Sequence, residues 1–189
     1  MKRFALLLAL IAPPAATPAA QIAPGLRAPT SVADGVGDAW LSGCYFAATD
    51  RPAVGLNLPL GDLAGAGLHG PTAIPDELRA YIDTQADEVS VAVLDAPGGQ
   101  VWMFFDAAAK RCTIVPQPAA SEGIEAQFDS LVRNDSDWHQ VTRDGGGAAF
   151  EQDFEAAPSL GRPGGRLRAW YQAAQGPAQP QMIVVERVR

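Results

Sequence analysis

The chain has 189 residues, with 14 Lys and Arg against 21 Asp and Glu, a formal charge of −7. Such an excess of carboxylates repels phosphate backbones and anionic lipid surfaces, which argues against a nucleic-acid partner. Arginine outnumbers lysine 12 to 2, and alanine, glycine and proline are abundant, a composition associated with bacteria of high genomic GC content.

Met1-Lys2-Arg3, the apolar run Phe4 to Ala12, then Pro13-Pro14 and small residues as far as Ala20 supply the three parts of a secretory signal peptide. The apolar run is far shorter than the ~20 residues a helix needs to span a bilayer core, so residues 1–20 are expected to be cleaved and not kept as an anchor. Cleavage after Ala19 or Ala20 is expected, and the loss of Lys2 and Arg3 takes the formal charge from −7 to −9. The expected compartment is the periplasm or, as the alternative, the extracellular space. Residues 21–31, with Pro24, Gly25 and Pro29 and no periodicity, read as a disordered lead, and 32–189 as one domain.

Cys44 and Cys112 are the only cysteines, and in an oxidising compartment a lone pair is expected to bond. Leu41-Ser42-Gly43-Cys44 also matches a lipobox, but a lipidated cysteine must follow the apolar run directly, and Asp34 and Asp38 intervene. No membrane anchor is expected.

From Val32 the positions Val36, Trp40, Cys44 and Ala47 or Ala48 recur three to four apart, as on one helix face. Gly35, Gly37 and Gly43 weaken that helix by up to ~1 kcal/mol each relative to alanine, so packing must hold it. Residues 49–73 are rich in glycine and proline and read as a long irregular loop whose leucines cover a core edge. A short helix follows, with Pro75, Asp76 and Glu77 near its start and Leu78, Tyr81 and Ile82 on its buried face.

The period then changes to two. Val89, Val91 and Val93 alternate as a strand, Pro97-Gly98 suits a type II turn, Val101 to Phe105 return, and Cys112 to Val115 form a third strand ended by Pro116 and Pro118. Ser121 reads as the N-cap of a helix with Ile124, Phe128, Leu131 and Val132 on one face. Four more strands are expected at Trp138 to Thr142, Ala149 to Phe154, Arg166 to Tyr171 and Met182 to Val188. The fold expected is α+β: an antiparallel sheet of about seven strands, two meanders joined by a crossover helix, with helices packed on one face.

Motifs for chemistry are sparse. His69 and His139 lack the paired spacing of a zinc site, and Asp135, Asp137 and His139 alternate but lack the glycine and terminal glutamate of a calcium loop. No Gly-x-Ser-x-Gly, Walker or dinucleotide-binding motif occurs, and no cofactor is called for. Glu151, Asp153 and Glu155 alternate on one strand and are expected to face Arg166 and Arg168 across a hairpin, which would help to fix register. Trp102, Trp138, His139, Trp170 and Tyr171 all fall on expected strands and are the candidate lining of a ligand groove. The reading is of an exported, non-catalytic binding, accessory or inhibitor module whose partner is a basic periplasmic protein or a small ligand. The alternative is a small periplasmic hydrolase with a carboxylate site under the 49–73 loop.

Overall fold

The computed structural model describes residues 28–49, 68–70, 73–79, 89–143, 148–156, 164–175 and 179–188. The leader, most of the 49–73 stretch, Tyr81 and Ile82 lie outside them.

Ser31 opens the first helix: its hydroxyl accepts from the Asp34 N–H, and the Asp34 carboxylate accepts in return from the Thr30 N–H and hydroxyl. Helix α1 (Val32–Ala39) runs into a π turn over Trp40–Cys44 and a last short turn, α2 (Tyr45–Ala48). The glycines that weaken this segment allow close approach. A Cβ at Gly37 would run into the Gln127 side-chain amide, and one at Gly35 would stand 3.1 Å from the Val101 side chain.

A two-residue strand β1 (Leu68–His69) and one turn of helix α3 (Asp76–Arg79) lead to the hairpin of β2 (Val89–Ala96) and β3 (Gly99–Asp106). Gly98 holds φ at +88°, as the third position of a type II turn requires. Then come β4 (Arg111–Gln117), α4 (Ile124–Arg133), β5 (His139–Thr142), β6 (Ala148–Phe154), β7 (Gly165–Gln172) and β8 (Met182–Val188). All eight strands join one antiparallel sheet in the order β1-β2-β3-β4-β8-β7-β6-β5. The sheet thus has one strand more than the pattern suggests, because Leu68–His69 of the glycine-rich stretch pairs with Leu94 and Val93. The C-terminal strand closes it by pairing β8 with β4 in its middle.

Two local expectations are corrected. Pro116 does not end β4, which continues to Gln117. The β8 partner stops at Ile114, so the proline sits where only β3 pairs and no ladder hydrogen bond is lost. Ser121 does not cap α4: its hydroxyl and N–H both donate to the Pro118 carbonyl, and Gly123, at φ +77°, takes the cap position.

The main core lies between one sheet face and α1 and α4. Val36, Trp40, Ile124, Phe128 and Val132 of the helical layer cluster with Leu94, Val101, Ile114, Leu167 and Ile183 of the sheet. Trp40 meets Phe128 edge-on at 6.1 Å and Trp138 at 5.6 Å, and Phe128 meets Phe150 at 5.8 Å, geometries in which aromatic quadrupoles attract. The Cys44–Cys112 disulfide ties this helical segment to β4. Helix α3 departs from the single-face expectation. Its Leu78, fully buried, clusters with Val93, Trp102, Phe104 and Val115, which strand alternation directs to the other face. No helix among the described residues is long and apolar enough to cross a membrane.

Candidate functional site

On the second face, the C-terminal half of the sheet is charged. The register sets His139 opposite Glu151, Glu151 opposite Arg168, Arg168 opposite Glu186, Glu186 opposite Arg111, and Arg111 opposite Asp106. These six side chains form one row across the sheet, alternating basic and acidic. Glu151 accepts from Arg168 at 2.7 and 2.8 Å and from Arg166 at 3.4 Å, with its own side chain only 7% exposed. Arg166 also grips Asp153 through two nitrogens, at 2.7 and 3.4 Å. That bond holds the Asp153 carboxyl below the usual carboxylate range against the opposing effect of desolvation, with the charges of Arg166 and His139 adding to it.

At the β5 edge the row runs into an open hollow of about 590 Å³. It exists because β5 is shorter than β6: their pairing ends at His139 opposite Glu151, while β6 continues to Phe154. Gln152, Asp153, Phe154 and Glu155 form one wall, Asp137 and His139 a second, and Tyr45, the first residue after the π turn, a third. π turns are frequent at functional sites. Asp137, Asp153 and Glu155 make the hollow acidic, and Asp153 alone of these has an ion pair among the described residues. Gln152 is 5% exposed, and its Oε1 is sealed from solvent without a hydrogen-bond partner. Its register opposite Leu167 directs that side chain to the helical face of the sheet, away from Glu151 and Asp153 on the same strand.

Of the sequence candidates, only His139 lines the hollow. Trp138 points to the helical face against Trp40, and Tyr171 lies on that same face, stacked on Phe128 at 6.2 Å. Trp102 stacks on Phe104 on the opposite face, and Trp170, also on that face, carries the Arg143 guanidinium 5.2 Å over its ring. These rings are divided between two faces and do not meet in one groove. Sequence reasoning missed Tyr45, Gln152 and Phe154.

A second hollow of about 500 Å³ lies at the start of α4, beside Glu125, Asp129 and Tyr171. Three of its polar groups are matched to one another: the Tyr171 hydroxyl donates to Gln181, whose amide donates to the Ser121 carbonyl. Burial, with the charge of Glu125, pushes the Tyr171 hydroxyl above its ordinary pKa. Both cysteine sulfurs are joined to each other. Among the described residues, no three His, Cys, Asp or Glu side chains are grouped to hold a metal. His69 is engaged at both nitrogens, 3.2 Å from Asp95 and 3.4 Å from the Gly70 carbonyl oxygen.

No family model, curated protein or solved structure matches this chain.

Proposed function

We propose that the chain is an exported, periplasmic binding module, non-catalytic, that takes a cationic partner in the hollow at the free end of β6. The observation that carries this reading is the open hollow itself, walled by Asp137, Asp153 and Glu155, of which only Asp153 has an ion pair among the described residues. The hollow is bordered by three carboxylates and one imidazole, a balance that attracts a cation. The negative body of the chain acts in the same direction, steering basic proteins toward it. Export rests on the N-terminal pattern, and the Cys44–Cys112 disulfide agrees with an oxidising compartment.

Two measurements test this. N-terminal sequencing of the periplasmic fraction should find a chain starting at Ala20 or Gln21; retention of the full leader in the cytosol overturns export. A photocrosslinking residue at position 155 should capture partners in living cells, with a yield that falls as salt rises, and the same probe at Asp129 should capture none. Equal capture at both positions, or none at 155, overturns the binding reading.

A further inference from the structure

We propose that the outer edge of β5 is a self-pairing surface, along which a second copy of this chain adds its own β5, antiparallel and centred on Gln140, so that one sheet runs through both copies. β5 ends the strand order with β6 as its neighbour, and among the described residues no main-chain bond reaches its other side. His139, Gln140 and Thr142 are exposed. Alternate residues of an antiparallel strand turn both N–H and C=O to one side, so such an edge is a template for one more strand. Neither lysine nor proline, the residues that commonly guard an edge, occurs in His139–Thr142, and Val141 and Thr142 are β-branched.

Symmetry then restricts the register. A two-fold axis normal to the sheet relates the two strands and keeps each side chain on its own face, so one residue must lie opposite its own copy. Centring on Val141 would bring Arg143 against the second copy's His139, and centring on His139 would set the two imidazoles against each other. Centring on Gln140 joins two amides, each both donor and acceptor. It also sets acid against base twice over, because Asp137 and Arg143 stand three residues to either side, Asp137 in the turn before β5 and Arg143 directly after it. Neither has an ion pair among the described residues, and the Arg143 guanidinium rests 5.2 Å over the Trp170 ring, beside the seam. A seam this short buries less than a permanent interface needs, so the dimer is a weak one in exchange with the monomer. Asp153 and Glu155 lie outside the seam, and the pairing does not depend on what the hollow holds.

The test is sedimentation velocity on the purified oxidised chain between about 10 μM and about 1 mM, with NMR shifts followed over the same range. The dimer fraction should rise with concentration, and the shift changes should centre on residues 137–143 and spare Leu68–His69 at the opposite edge of the sheet. Asp137→Arg or Arg143→Asp alone puts two like-charge contacts where two ion pairs stood and should weaken the dimer about tenfold, the size expected of several exposed pairs together. Asp137→Arg lowers the net negative charge of the chain, so general repulsion between copies predicts a tighter dimer for it and the seam predicts a weaker one. The double variant Asp137→Arg, Arg143→Asp exchanges the two signs and should recover most of the loss. A monomer throughout the range, a dimer whose shift changes lie elsewhere, a dimer indifferent to both single reversals, or a double variant as weak as the single ones overturns the proposal.

Discussion

Replacing Glu151 by Ala should destabilise the protein by about 2–3 kcal/mol, a size that follows from its neighbours. The carboxylate takes two close N–H groups from Arg168 on one oxygen and a long contact from Arg166 on the other. The Arg166 contact contributes little, since Asp153 still holds that guanidinium. The Arg168 pair is charge-assisted and is worth roughly 1.5–3 kcal/mol. Removing Glu151 also leaves Arg168 with Glu186 as its one acidic neighbour in the row. Because the Arg168 side chain is 28% exposed, water reclaims part of it, and the cost stays below the roughly 3–5 kcal/mol of a fully buried pair. Urea denaturation should show a lower midpoint at unchanged slope, and at about 2–4 °C per kcal/mol Tm should fall by roughly 5–10 °C. In a double-mutant cycle with Arg168→Ala, the pair should show coupling of about 1–2 kcal/mol. A loss for Glu151→Ala under about 0.5 kcal/mol, typical of an exposed pair, or additive single mutants, would refute the reasoning.

Replacing both Cys44 and Cys112 by Ala opens a link between residues 68 apart and should cost about 4 kcal/mol in the loop-entropy treatment, read from urea unfolding. A loss under about 1 kcal/mol would show that packing alone holds the helical segment to β4. Gly99→Ala should cost about 1–3 kcal/mol, because the new Cβ meets the Gln117 main-chain oxygen and no rotamer relieves it. Gly37→Ala, which meets only the end of the Gln127 side chain, should be milder, and the reverse ranking would contradict the packing. For Asp153, the folded carboxyl lies below its unfolded value, so its contribution is present above about pH 4 and is lost as pH falls through the folded pKa. Asp153→Asn should therefore lower Tm at pH 6 and converge with wild type in strong acid; a gap constant with pH would exclude this ion pair as its cause.

Some of this structure is written locally. The alternation of Val89, Val91 and Val93, and of Glu151 and Asp153 against Arg166 and Arg168, gives strand identity and even register, because side-chain period and charge complementarity are properties of near neighbours. The Cys44–Cys112 bond followed from a count of two cysteines and an expected compartment. By contrast, Leu68–His69 shows no periodicity that two residues could display, and it is a strand only because Val93 and Leu94 are there to pair. Gly35 and Gly37 read as helix weakeners because the sequence does not show Val101 and Gln127 packed against them. The hollow was illegible for a similar reason. It arises from a difference in length between two strands, and nothing local in the sequence marks where β5 stops short of β6. The aromatic groove suggested by Trp102, Trp138, Trp170 and Tyr171 failed to assemble because strand parity sends them to two faces.

The placement of β8 has a consequence for how the molecule comes together. It is the last of the eight strands to be synthesised, yet it sits at the centre of the sheet, with Arg111 bonded to Glu186 across 75 residues. Until it arrives, β4 presents a bare edge and the β5–β7 meander has no neighbour on its inner side. Closing so distant a contact is slow, and open edges invite pairing between chains. A chain that emerges N-terminus first therefore waits, with both half-sheets incomplete, for its final strand to join them. During that interval it is most exposed to aggregation and most dependent on whatever shields it.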